Sequence, residues 1–251
     1  MVVFKQIFLS FLFLTRLPLS NFSTEKISLA AAAWCFPIVG AFIGCLLWAF
    51  LLVLEGIGVP FQLQCVAVLV FGICFTGALH EDGFADFFDG LGVYDRARAL
   101  EVMRDSQVGS FGALALLVSF SFRGVALFEL GSVHLVGLSL LLAHIGARGV
   151  MAAMLLLPKA RSDGLAVSSG ASNWISVLVA LIICAVVFFA LLPWYVAALA
   201  LLFAGCGALI VALIALRRYK GLTGDVYGAV EQVSEMLMLA VFASLLPQII
   251  L

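Results

Sequence analysis

Charge is scarce in this chain: Asp, Glu, Lys and Arg together make up 11% of its 251 residues, under half of the roughly 25% usual for a water-soluble domain. That scarcity excludes an aqueous globular protein. With 65% apolar residues and a mean hydropathy of +1.25, most side chains must be solvated by lipid or by one another. A basic excess is missing too, since 13 Lys and Arg stand against 14 Asp and Glu, and nucleic acid is thereby excluded as a partner. No Cys-x-x-Cys pair occurs. Cys35, Cys45, Cys65, Cys74, Cys184 and Cys206 lie singly in apolar runs, which gives neither a disulfide framework nor a zinc site and predicts small core residues. The first apolar run ends at Thr15-Arg16-Leu17-Pro18 without a small-x-small pattern, so it does not read as a cleaved signal peptide. Nor is there an internal repeat, low-complexity tract or linker to divide residues 1–251 into more than one domain.

What the chain does have is long apolar runs. A helix needs about 20 apolar residues to cross the hydrocarbon core, and the segments 29–54, 60–79, 110–128, 133–157, 174–192, 195–216 and 233–251 approach that length. The expectation is an all-α integral membrane protein, a polytopic bundle of about seven transmembrane helices. Residues 4–14 set Phe4, Ile7, Phe8 and Phe11 opposite Lys5, Gln6 and Ser10, the pattern of an interfacial or re-entrant helix. Cations mark the cytoplasmic side. Lys5, Arg16, Lys26, Arg96, Arg98, Arg104, Lys159, Arg161, Arg217, Arg218 and Lys220 all fall in connections of one parity, whereas those near 55–59, 129–132 and 193–194 carry only Glu55 and Glu129. The long polar connections are therefore expected to face the cytoplasm.

The densest polar run is His80-Glu81-Asp82-Gly83-Phe84-Ala85-Asp86-Phe87-Phe88-Asp89-Gly90. On a helix Asp82, Asp86 and Asp89, spaced i, i+4, i+7, lie within about 60° of one another, and their like charges repel unless a cation sits among them. Hard oxygen donors point to Mg²⁺, which usually takes one or two carboxylates together with substrate phosphates. Both a single ion and a two-metal site fit the spacing. A solvated loop with capping acids accounts for Glu81 or Asp82, but not for three carboxylates on one face between Phe84, Phe87 and Phe88 at a membrane boundary.

The run Leu79-His80-Glu81-Asp82-Gly83-Phe84-Ala85-Asp86-Phe87-Phe88-Asp89-Gly90-Leu91-Gly92, followed by Glu101-Val102-Met103-Arg104-Asp105-Ser106-Gln107-Val108-Gly109-Ser110-Phe111-Gly112-Ala113, resembles the signature of the cobalamin synthase family of adenosylcobinamide-GDP ribazoletransferases. Phe13-Leu14-Thr15-Arg16-Leu17-Pro18, Phe36-Pro37-Ile38-Val39-Gly40, the Arg148 region, Arg161-Ser162-Asp163-Gly164-Leu165 and Thr223-Gly224-Asp225-Val226-Tyr227-Gly228-Ala229 are similar to the family in order and position, over nearly the whole chain. The resemblance implies one transmembrane catalytic domain in a bacterial cytoplasmic (inner) membrane with its active site on the cytoplasmic side. It also implies Mg²⁺ as cofactor, and adenosylcobinamide-GDP and α-ribazole, or its 5′-phosphate, as substrates. The products implied are adenosylcobalamin, or its phosphate, and GMP. Self-association and association with other corrinoid-pathway enzymes stay open.

Asp82, Asp86 and Asp89 are the expected metal ligands, and Glu81 or Asp225 would complete the shell or accept the hydroxyl proton. Arg16, Arg104, Asp105, Arg148 and Arg161 are the expected substrate-binding residues. Arg104-Asp105 precedes the glycine-bearing segment 109–112, a helix start able to offer backbone N–H groups to a phosphate; the alternative is an ion-pair set among Glu101, Asp105 and the arginines. His144 and Arg148 share a helix face and must point into the bundle or a cavity, with Arg148 on a phosphate, on the Asp cluster or in a structural pair. His80 is either a partner to a metal ligand or a boundary residue. Asp225, Glu231 and Glu235 are placed at the last connection and the start of the final span, as ligands or as a capped helix start.

Two other classes compete. CDP-alcohol phosphotransferases also cluster aspartates at membrane-helix ends, but their D-x-x-D-G-x-x-A-R pattern is not met, since Leu79 stands three residues before Asp82 and Asp86 follows Ala85. A cation or corrinoid transporter would show repeat symmetry and midplane helix breaks, and the acids here gather at one end.

Overall fold

The computed structural model describes residues 2–17, 28–160, 170 and 173–250, and among these the regular structure is helical apart from one isolated bridge between Lys159 and Leu222. In chain order the helices are α1 (Val2–Leu14), α2 (Leu29–Ala32), α3 (Phe36–Gly56), α4 (Phe61–Thr76), α5 (Leu79–Leu91), α6 (Arg96–Val102), α7 (Ser110–Glu129), α8 (Val133–Met154), α9 (Trp174–Leu191), α10 (Trp194–Tyr219), α11 (Gly224–Leu245) and α12 (Pro247–Ile250). Six segments are long and apolar enough to cross a membrane, and α4 with α5 forms a seventh that is bent by 89°. The polytopic bundle of about seven spans is thus present.

Two boundaries differ from the sequence expectation. The second span, read as a straight run over 60–79, stops at Thr76; Gly77 and Ala78 both take left-handed conformations, with φ of 68° and 57°, and α5 leaves at an angle. The last span begins at Gly224 rather than near 233. Its first turns carry polar side chains that are buried against partners, so counting apolar residues alone placed its start too late.

The bundle is organised on α8, which is buried along most of its length and packs against α3, α9, α10 and α11. Its closest neighbour is α3, through Gly40-x-x-x-Gly44: a Cβ at Gly40 would strike the His144 carbonyl, and one at Gly44 the Leu141 backbone. Lipid gives helices no hydrophobic reason to associate, so small residues that let backbones approach supply the packing energy. Helix α7 flanks the other side, touching α4, α5 and α11, and turns Leu114, Leu117, Val118 and Val125 outward.

Helix α1 turns part of its polar stripe to the bundle. Gln6 accepts a hydrogen bond from Trp34 Nε1 at 2.9 Å and Ser10 donates to the Ala32 carbonyl at 3.1 Å, while Val2, Val3 and Phe4 are exposed. Its polar stripe therefore faces the bundle and its apolar end faces outward, as a helix bathed in lipid requires. Likewise Cys35, Cys65 and Cys184 are buried as expected, but Cys45, Cys74 and Cys206 lie on the outer surface, where lipid makes apolar residues as acceptable as the core does.

The cation-bearing connections meet at one end of the bundle. Arg96 donates to the carbonyls of Tyr219 at 3.0 Å and Ala160 at 3.2 Å, and Arg218 donates to the carbonyl of Val93. Replacing Gly40 with Leu or Gly44 with Val is expected to destabilise the fold by about 1–3 kcal/mol through overpacking, read as a lowered thermal unfolding midpoint in detergent. Gly205→Ala, at a helical position that nothing approaches within 4 Å, should leave the midpoint unchanged or raised.

Candidate functional site

The acid-bearing helix α5 owes its position to glycines. At the corner Gly77 has no Cβ, and the Arg16 side chain lies across the space one would occupy, while the Arg16 N–H donates to the Phe75 carbonyl at 3.0 Å. One turn on, a Cβ at Gly83 would meet the Asp225 Cα at 2.9 Å; a Cβ at Gly228 would meet the His80 carbonyl oxygen at 2.9 Å. Helices α5 and α11 therefore cross backbone to backbone.

That crossing brings Asp82 and Asp225, 143 residues apart in sequence, onto one cavity of about 80 Å³, also lined by Phe13, Leu79, His80, Met151 and Tyr227. Asp82 is exposed and Asp86, one turn along the same face of α5, is half-buried. Asp225 is half-buried and accepts a hydrogen bond from Thr223 Oγ1 at 3.0 Å, the same hydroxyl that caps the start of α11 at Val226 N. His80 Nε2 and Tyr227 Oη, both buried, have no hydrogen-bond partner among the described residues. Buried polar atoms of that kind usually have a partner, and here both line a cavity already edged by carboxylates.

Asp89 is placed differently from the expected triad. It is buried, and its two carboxylate oxygens each accept one backbone N–H, from Gly109 at 2.8 Å and from Gly112 at 2.8 Å. Seven residues of helix also separate it from Asp82 by about 10 Å along the axis, beyond the reach of one small ion with ligands at about 2.1 Å. The start of α7, expected to offer its N–H groups to a substrate phosphate, is thus occupied by a carboxylate of the chain itself. The physics is the same: the positive end of a helix attracts an anion.

Glu81, next to Asp82, points the other way, into a buried ionic cluster. Arg123 from α7 donates to Glu81 Oε1 through both terminal nitrogens at 3.3 Å, and to Glu235 Oε1 at 3.4 Å. Gln232 donates to Glu81 at 3.2 Å and to Glu231 at 3.2 Å, and accepts from Ser119 at 3.0 Å. Arg148 Nη1 lies 2.7 Å from Glu231 Oε1 and 2.7 Å from His144 Nδ1. The expected role of Arg148 on a phosphate or on the Asp cluster is accordingly replaced by a pair with Glu231, each side chain being 1% exposed.

Donor atoms of His144, Glu231 and Glu235 lie within 4.8 Å of one another, a spacing compatible with a metal ion. The arginines decide against that use. Arg148 already occupies the faces of His144 Nδ1 and Glu231 that an ion would need, and three carboxylates here face two guanidiniums, so a divalent ion would leave net positive charge in a poorly polarisable interior. His144 Nδ1 also lies 3.4 Å from Glu235 Oε2. A cavity of about 20 Å³ reaches the cluster, enough for one water.

The remaining expected residues lie toward the surface. Arg16, Arg104 and Asp105 are exposed; Asp105 accepts from Gln107 N at 3.1 Å, and Glu101 pairs with Arg98 at 3.1 Å, which is part of the ion-pair alternative. Arg161 lies outside the described residues. Arg123 was not singled out from the sequence, although a lone cation inside a 20-residue apolar run is the signal that marks such positions. Glu231 and Glu235, expected at a helix start, lie in the interior of α11.

Fold and site define a multi-pass helical membrane protein whose one bundle end carries a carboxylate cleft. By sequence, the chain belongs to the cobalamin-5-phosphate synthase family, which matches residues 6–243. It is similar to proteins named adenosylcobinamide-GDP ribazoletransferase. One from Bradyrhizobium diazoefficiens is 39% identical over 235 residues, covering 92% of this chain and 90% of that protein. One from Mesorhizobium japonicum is 36% identical over 253 residues, with 95% and 93% covered. One from Chlorobaculum tepidum is 36% identical over 227 residues, with 88% of each covered. No solved structure matches the chain.

Asp89→Ala is expected to lower stability by about 1–3 kcal/mol through two backbone N–H groups left without an acceptor, whereas Asp82→Asn should leave the unfolding midpoint unchanged. Glu231→Ala, which strands Arg148 in the interior, should cost about 3–5 kcal/mol, read as failure to recover a monodisperse protein.

Proposed function

We propose that this chain transfers the adenosylcobinamide phosphate moiety of adenosylcobinamide-GDP to a ribose hydroxyl of α-ribazole, or of α-ribazole 5′-phosphate, and releases GMP, a closing step in assembling the nucleotide loop of adenosylcobalamin. Membership of the family supplies the reaction. The observation that carries it to a site is the cavity between α5 and α11, lined by Asp82 and Asp225 together with His80 and Tyr227, whose buried Nε2 and Oη have no hydrogen-bond partner among the described residues.

The donor set of this cleft suits a hard divalent ion. Asp82, Asp86 and Asp225 offer only carboxylate oxygens, at least partly open to water, and would hold Mg²⁺. Bound there with a diphosphate, the ion would supply neutralisation of the non-bridging and leaving oxygens. Asp89 is left out of this set because its oxygens are already engaged. Arg16, exposed at the α4–α5 corner, takes phosphate charge at the mouth of the cleft, with Arg104 on the neighbouring connection. A phosphorus–oxygen bond forms at the ribose hydroxyl oxygen, the diphosphate bond to GMP breaks, and the hydroxyl gives up one proton. Glu81 is held by Arg123 and Gln232, so among the two acids expected to accept that proton, Asp225 remains. Catalysis of this kind is mainly positioning and electrostatic stabilisation.

The meeting of cation-bearing connections at the cleft end supports a cytoplasmic active site in the bacterial inner membrane. Purified protein given adenosylcobinamide-GDP, α-ribazole and Mg²⁺ is expected to release GMP only when all three are present. Asp82→Asn, Asp86→Asn and Asp225→Asn should each lower turnover by about 100-fold or more while the protein stays folded. Wild-type turnover in all three, or undiminished turnover with excess chelator, would sink the proposal.

A further inference from the structure

We propose that Arg123 is a positioning residue for the acid cleft, one guanidinium that fixes the two acid-bearing helices relative to each other. The inference rests on the reading of that cleft as the site of transfer. Helices α5 and α11 approach through glycines, and α5 buries Phe84 and Phe87 in the core; such contacts set its distance and burial but lack the directional hold of a charged hydrogen bond. That directional hold comes from charged groups that point away from the cleft. At the far end of α5 that group is Asp89, bonded to the start of α7. At the near end it is Glu81, one residue before Asp82, and its cation is Arg123.

The same guanidinium reaches Glu235 on α11, the helix that begins beside Asp225. Arg123 therefore joins α5, α7 and α11 at one point, 4% exposed. A planar fork can serve two carboxylates from different helices at once, which an ammonium cannot do with the same geometry. An arginine inside a span is costly and persists where it has work to do. Any turn of α5 that released Glu81 would carry Asp82 and Asp86 with it, and misplacement near 1 Å is enough to lower turnover by about 100-fold.

The test uses the full chain in detergent, with Mn²⁺ binding followed by electron paramagnetic resonance beside GMP release. Arg123→Lys keeps the charge and loses the fork; Glu81→Ala removes the acceptor and so cuts the tie on α5, while leaving the cluster with equal numbers of acids and arginines. Each variant is expected to stay folded, to weaken Mn²⁺ binding and kcat by about tenfold or more, and to leave KM for adenosylcobinamide-GDP within about twofold. The double variant should be no worse than either single one, because both remove the same tie. Folded single variants with wild-type Mn²⁺ binding and kcat would overturn the inference, and so would losses that multiply in the double variant. Asp82→Asn is the control on the cleft itself: if it retains full turnover, the reading of the cleft falls, whatever Arg123 does.

Discussion

A charge below the surface of a membrane bundle has to be answered by another group, because neither lipid nor packed side chains can solvate it. That constraint governs where the polar residues of this chain sit. Glu81, Glu231 and Glu235 are met by Arg123 and Arg148 with Gln232 between them, and Asp89 is met by two backbone N–H groups. Asp82 and Asp86 on α5 and Asp225 on α11 are instead at least partly open to water. Chemistry needs carboxylates that a ligand can reach, and burial removes that access from the others.

Alternation of inward and outward acids along α5 follows from helix geometry. Consecutive residues project about 100° apart, so Glu81 can serve the interior while Asp82 serves the cleft. A short helix thereby belongs to two environments, and the cluster within holds the face that looks out. The glycine crossing with α11 is what allows this economy of space, since any larger residue at Gly83 or Gly228 would push the helices apart.

The span count was legible from the sequence because lipid imposes one simple demand, a run of apolar residues long enough to cross. The acidic run stands out for the converse reason, that clustered charge at a membrane boundary is expensive, and the structure sets its Asp82 on one cavity with Asp225. What stayed hidden depends on which helix meets which. Nothing in the segment 80–90 says that Asp89 rather than a ligand will occupy the start of α7. That follows only from α5 lying beside Gly109 and Gly112. The start of the last span was misplaced because Glu231, Gln232 and Glu235 look like water-facing residues until Arg123, Arg148 and Ser119 are brought to them from α7 and α8. The corner at Gly77-Ala78 was missed because the apolar run continues through it without a proline or a charge.

The shortness of α4 bears on how a substrate reaches the cleft. Its 16 residues rise about 24 Å, less than the ~30 Å of hydrocarbon in a typical bilayer. Either the bilayer thins around it or the corner that starts α5 sits beneath the level of the lipid headgroups. Both arrangements recess the carboxylates, so that a ligand with a polar phosphate end and a bulky, largely apolar body would lower itself partway into the lipid to meet them, and would need no route through the bundle to do so.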